Sequence, residues 1–376
     1  MKTSASSLLV IALLTASSWA QDTVTRSPDP QDSSFASLRK ALEAGKLIES
    51  AGMTETRAFN PVVNERWRGV AVSYGCYRKG QAPGVVGPSE AEILEDLNIL
   101  VRYWSFLRIY GSDDDAERII RTIHDHALPL RVVLGVWLED EEGKPQQRAA
   151  NVSQTLRALQ LARRYPGEIA AISVGNEVQV FWSFHRMNPA AQVRYIRAVR
   201  THSVVPVTAA DDYNYWITPA SKQIAGEIDF VMLHMYPLWN GKTIDSAMTW
   251  MTETYRAVRT VHPDKMIVVG ETGWATAYDA SKRGPGEQGT LIKGEVSQRG
   301  QELFLVALHD WVHTNNIATF LFEAFDEPWK GGGEKSGPNE IEKHWGVFYA
   351  DRTPKPSFVQ YLHWIQTKTD KGSGRD

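Results

Sequence analysis

The stretch MIVVGETGWAT occupies residues 266–276. It begins as the apolar, β-branched run of a strand buried on both faces, yet it closes on Gly270, Glu271 and, three residues on, Trp274. An unpaired carboxylate at the end of such a run is costly to bury, so Glu271 must be paired or put to use. Runs of this kind, each ending in polar, glycine or aromatic residues, are found at 69–74 (GVAVSY), 106–110 (FLRIY), 130–137 (LRVVLGVW), 169–176 (IAAISVGN), 204–210 (VVPVTAA), 228–236 (IDFVMLHMY), 266–271 (MIVVGE) and 317–325 (IATFLFEAF). Continuous apolar runs of this length suit parallel strands covered on both faces.

Helical patterns fill the gaps. Residues 89–103 carry Ile93, Leu97, Leu100 and Val101 at three- and four-residue spacings, and 115–126 carry Ile119, Ile120 and Ile123. Further helices are expected at 150–164, 190–202, 220–225, 245–261, 297–314 and 357–366. Strict alternation of eight strands with helices implies a single-domain (β/α)₈ TIM barrel over 67–367. The competing architecture is an open doubly wound sheet, which announces itself by a glycine-rich loop after the first strand; here that position reads Tyr74-Gly75-Cys76-Tyr77-Arg78. Ahead of the barrel, an extension over 21–66 holds an amphipathic helix at 33–50, with Phe35, Leu38, Leu42 and Ile48 on one side, expected on the barrel's outside or bottom. The polar tail 368–376 (KTDKGSGRD) is expected to be disordered.

Composition sets the outer limits. The 376 residues are 43% hydrophobic and 23% charged, as in a globular protein with a large core, and the formal charge of −3 gives no global attraction to nucleic acid or to an anionic membrane. Lys2, the apolar run 8–14 and the exit Ser18-Trp19-Ala20 read as a secretory signal peptide over 1–20. No later run reaches the roughly 18 to 20 apolar residues of a membrane helix. The mature chain is expected to be exported, to a periplasm or outside the cell, as a monomer. Cys76 is the only cysteine, so no internal disulfide can form, and without a neighbouring histidine it reads as an inert buried thiol.

In a barrel of this kind chemistry sits at the C-terminal ends of the strands. The fourth run ends in Gly175-Asn176-Glu177 and the seventh in Gly270-Glu271. The plain reading is two separate salt bridges. The sharper one is a pair bracketing one bond, since two carboxyls about 5 to 5.5 Å apart, one ionised and one protonated, are what a retaining glycosidase requires. Trp137, Trp182, Trp216, Trp239, Trp274 and Trp329 fall at or just after strand ends, where indole faces can pack against sugar rings. Trp274 is expected in the wall beside the sugar, and Asp211 and Asp212 are read as sugar contacts. Asp113, Asp114 and Asp115 read as a charged helix start, and Gly331 to Gly333 as a flexible turn.

Taken together, GNE at the fourth strand, GETGW at the seventh and FDEPWK after the eighth resemble glycoside hydrolase family 17, the β-1,3-glucanases and β-1,3-glucan transferases, across residues 69–356. The resemblance implies that Glu177 is the acid/base and Glu271 the nucleophile. It implies that Asn176 bonds the sugar 2-hydroxyl, that Tyr74, Tyr110 and Tyr236 line the catalytic subsite, and that Glu327 and Lys330 form the family's FDExxK pair. No metal or organic cofactor is implied. The substrate would be a β-glucan polysaccharide or oligosaccharide. Mixed-linkage β-1,3-1,4-glucan and a catalytically silent glucan-binding barrel stand as alternatives. Ala275 stands where plant members have proline, and the long loop 275–294 is expected to wall off one end of the cleft.

Overall fold

Eight parallel strands close on themselves: β1 (Val70–Ser73), β2 (Phe106–Ile109), β3 (Arg131–Val136), β4 (Ile169–Asn176), β5 (Val207–Asp212), β6 (Phe230–His234), β7 (Met266–Thr272) and β8 (Thr319–Leu321), with β8 pairing both β7 and β1. This computed structural model describes residues 35–49, 56–63, 66, 67 and 70–372. The expected leader over 1–20 lies outside the described residues.

The helices of eight residues or more are α1 (Ala36–Glu43), α2 (Glu90–Leu100), α3 (Asp114–Asp125), α4 (Pro145–Arg164), α5 (Pro189–His202), α6 (Ile244–Val261), α7 (Gln298–Asn315) and α8 (Pro356–Gly372). Their starts are set locally. Ser89 accepts from the Glu92 N–H while the Glu92 carboxylate accepts from the Ser89 N–H, a capping box that opens α2, and the Asp113 side chain caps α3 through the Ala116 N–H. No described helix is long and apolar enough to cross a membrane.

Alternation along each strand divides the core in two. Val72, Leu107, Val132 and Val269 pack outward under the helices, whereas Ala71, Phe106, Val133, Phe230, Met232 and Val268 fill the barrel interior. The floor is sealed from outside the sheet: Phe59 stacks on Phe230 at 4.7 Å and meets Phe106 edge-on at 6.2 Å. Arg57 holds that segment in place by donating to the carbonyls of Val205 and Arg200 and, through its backbone N–H, to Asp229. The 21–66 extension therefore contributes a plug to the barrel floor as well as helix α1, which lies on α4 and α5.

Of the boundaries that differ from the sequence reading, among them the helix expected at 33–50 that spans only Ala36–Glu43 and the one expected from 150 that starts at Pro145, three have a clear local cause. The fifth strand runs to Asp212 and starts only after Pro206, which has no N–H to give the ladder. The eighth ends at Leu321: Phe322 and Ala324 still donate to Thr272 and Ser73 of the barrel, but Glu323 and Asp326 donate their backbone N–H groups to Trp345 and Phe348 of the following segment. The expected disordered tail is helical as far as Gly372: Lys368 lies 4.3 Å over the Trp364 ring and pairs with Asp310 of α7, which carries α8 past residue 366.

Candidate active site

Glu177 and Glu271 are delivered by irregular backbone. By strict alternation Glu271 would share the outward side of Ile267 and Val269. A register shift between β6 and β7, in which Leu233 pairs with Val269 but His234 with Glu271, turns it into the barrel mouth. Glu177 follows a second register shift, at the end of β4, and has φ +52, a left-handed conformation uncommon outside glycine; its N–H is held by the Ala210 carbonyl at 2.8 Å. Beyond it, Asp211 accepts from the backbone N–H groups of Gln179 and Val180 and so fixes the following loop.

A carboxylate oxygen of Glu177, one of Glu271 and a ring nitrogen of His234 all lie within 4.8 Å of one another. The two glutamates have opposite surroundings. Burial pushes the Glu177 carboxyl well above its usual range, and the negative charge of Glu271 adds to the effect. Burial acts on Glu271 too, but the Arg108 guanidinium, with hydroxyl donors from Tyr236 and Tyr110, outweighs it and holds this carboxyl below the usual value. Arg108 Nη1 stands 2.6 Å from Glu271 Oε1, where Tyr110 also donates at 3.0 Å, and Tyr236 donates to Oε2 at 2.6 Å. These surroundings favour the protonated form of Glu177 and the ionised form of Glu271. The Glu177, His234 and Glu271 trio has the spacing of a cation site, but the guanidinium already occupies the shared Glu271 oxygen, which favours an acid pair over a ligand set.

Around this pair lies a cleft of about 220 Å³. Asn176 accepts from Arg108 Nη2 at 2.6 Å through Oδ1, which leaves its amide nitrogen as a donor toward the cleft. Lys330 bridges Glu327 at 2.7 Å and Glu323 at 2.6 Å, and Glu327 is further held by the Trp329 indole N–H at 2.9 Å. Gly75 makes room for this group, since a Cβ there would fall 2.1 Å from Glu327 Oε1. Tyr74 lines the cleft with its ring, while its hydroxyl is committed to Asp96 at 3.0 Å.

Trp274 is placed differently from the sequence reading. It is 1% exposed, stacks on Phe304 of α7 and donates its indole N–H to the Glu295 carbonyl, so it belongs to the helix layer and not to the cleft wall. Trp216 is likewise buried, bonded to the Met232 carbonyl. Trp137, Trp239 and Trp329 do line the cleft, joined by Trp345, which the sequence reading passed over. Asp211 and Asp212 are spent on backbone N–H groups and do not reach it. The loop 275–294 forms no cleft wall. Through Gln288, which donates to Glu340 at 2.8 Å and accepts from the Ile341 N–H, it supports the segment that carries Glu342 and Trp345 into the cleft. Cys76 lines the cleft as a buried thiol whose pKa burial raises, as expected for an inert cysteine.

Arg108, His234 and Glu323 also escaped the sequence reading. For two of them the signal was present: Arg108 stands two positions along from inward-facing Phe106, as in FLR, and His234 two along from inward-facing Met232, and a charged or polar residue there must find a partner inside the barrel.

Residues 71–346 match the BtgE/BtgC glycoside hydrolase domain. The chain belongs to this glycoside hydrolase family. That bears out the resemblance to glycoside hydrolase family 17. A glucan 1,3-beta-glucosidase of Schizosaccharomyces pombe is 27% identical over 276 residues, which cover 70% of this chain and 79% of that protein. Among solved structures, an endo-laminarinase from Formosa Hel1_33_131 has a TM-score of 0.68 at 23% identity, covering 79% of this chain and 87% of its own. A β-1,3-glucanosyltransferase from Rhizomucor miehei has a TM-score of 0.60 at 24% identity, covering 76% and 95%. At these identities the two structures show the shared barrel.

Proposed function

We propose that the protein cleaves or transfers β-1,3-glucan with net retention. The observation that carries this reading is the carboxyl pair, with oxygens within 4.8 Å and surroundings that shift the two carboxyls in opposite directions. Inverting enzymes need about 6.5 to 9.5 Å between carboxyls to admit a water. In this reading an ionised Glu271 oxygen attacks the anomeric carbon while the Glu177 proton passes to the departing glycosidic oxygen. Glu177, now ionised, then takes a proton from water or from an acceptor hydroxyl as that oxygen bonds to the anomeric carbon and the ester bond from this carbon to Glu271 breaks, which frees the Glu271 carboxylate. Asn176 donates to the 2-hydroxyl, and Tyr110 and Tyr236 stabilise the charge on Glu271 before attack. Glu327 and Lys330 sit where they can bond sugar hydroxyls.

A neutral glucan suits the lining. Asp113, Glu139, Glu327 and Glu342 are set against Lys330, which is itself tied to Glu323 and Glu327, so a uronic acid would meet repulsion. The relatives named as glucan 1,3-beta-glucosidases support the linkage. We place the mature chain outside the cytoplasm on its leader-like first twenty residues, and read it as a monomer.

Mass spectrometry of the products from β-1,3-glucohexaose tests the reading. Shorter products mark a hydrolase and longer ones a transferase. If the hexaose stays intact while mixed-linkage glucan is cut, the linkage assignment is wrong; glucan binding with no turnover of either would establish the silent barrel.

A further inference from the structure

His234 closes β6 and is fully buried, yet it belongs to no apolar cluster. Its Nδ1 lies 2.8 Å from Glu177 Oε1, and its Nε2 lies 3.5 Å from Glu271 Oε1 without a hydrogen-bond partner. Burial drives its pKa down to about 3, so the ring is neutral and carries one N–H. That N–H has two possible seats. On Nε2 it would be a buried donor with no bond, facing an oxygen that already accepts from Arg108 and Tyr110. On Nδ1 it makes the 2.8 Å bond and leaves a lone pair unmatched, and an unmatched acceptor is the cheaper orphan.

We infer that His234 is a positioning residue that donates from Nδ1 to Glu177 Oε1 and so dedicates Glu177 Oε2 to the proton that is transferred. The inference rests on the proposed roles of the two glutamates. With Oε1 occupied as an acceptor, the acid proton resides on Oε2. From there it passes to the glycosidic oxygen as the C1–O bond breaks and the bond from C1 to a Glu271 oxygen forms. The same N–H then stabilises the carboxylate left behind, so the benefit is largest when the leaving group most needs a proton. Glu177 also faces the charges of Glu271, Asp211, Asp212 and Arg108, none of which could take over this directional role.

The test compares two substrates on wild type, His234→Ala and His234→Asn, with folding checked by circular dichroism. β-1,3-Glucohexaose requires protonation of its leaving group; a 2,4-dinitrophenyl laminaribioside does not. His234→Ala should lose roughly 10²-fold in kcat on the hexaose and only a small fraction of that on the aryl glycoside. His234→Asn, whose amide N–H can reach the same oxygen, should recover most of the loss. Equal losses on both substrates in folded variants, or no recovery with asparagine, would overturn the assignment while leaving the proposed function intact. A wild-type protein inactive on both substrates would overturn the two together.

Discussion

The floor and the mouth of this barrel are built from the same strands and do opposite things. β2 contributes Phe106 to the floor and, one inward step later, Arg108 to the mouth; β6 contributes Phe230 below and His234 above. On the floor, rings close on rings, with Phe59 stacked on Phe230. At the mouth, Arg108 is 2% exposed and spans Glu271, Asn176 and the Gly270 carbonyl. A buried ion network of this kind is weak as a source of stability, because desolvation offsets much of the attraction. Apolar closure of the floor contributes to holding the fold, and the charges kept at the mouth fit the chemistry proposed for it.

The comparison predicts where damage should appear. The largest effect belongs to the mouth: Glu271→Gln should lower kcat on β-1,3-glucan by about 10⁴-fold or more, with thermal unfolding close to wild type. A folded variant that retained activity would remove the nucleophile assignment. Glu177→Gln should cost about 10² to 10⁴-fold on glucan and also change the pH profile. Activity requires Glu271 ionised and Glu177 protonated. It should therefore rise as pH passes the lowered Glu271 value and fall only above the ordinary carboxylate range, where raised Glu177 ionises. In the Gln variant the alkaline limb should vanish, and its persistence would assign that limb to another group.

The floor should respond in the opposite sense. Phe59→Ala should destabilise by about 3 to 5 kcal/mol while the activity of each folded molecule is kept, measured as kcat at a temperature well below unfolding. A fall in kcat with unchanged stability would mean that floor and mouth are coupled. The smallest effect separates two tryptophans. Trp239→Phe should raise KM, since its ring lines the cleft. Trp274→Phe should leave KM unchanged and cost about 1 kcal/mol for the lost bond to Glu295. Equal changes in KM would return Trp274 to the cleft wall.

How much of this was legible follows from the range of the interactions. β-branched runs, helix spacings and the caps at Ser89 and Asp113 are local, so eight alternating units could be read directly. The motifs GNE and GETGW marked both glutamates, because a carboxylate ending a strand buried on both faces has few structural uses. Trp274 and Trp239 could not be told apart, as each follows a strand end and only the packing of α7 takes Trp274 out of the cleft.

The sequence by itself determined the alternating architecture and the family and pointed to the two glutamates proposed as the acid pair, since each rests on residue type and spacing within a short segment. Tertiary structure decided which way those acids face and what surrounds them. The register shift that turns Glu271 inward exists only when β6 and β7 pair. Arg108 meets Glu271 across 163 positions of chain, and His234 meets Glu177 across 57. Closure of the barrel brings them together, and only there, away from water, can one glutamate hold a proton while the other stays charged.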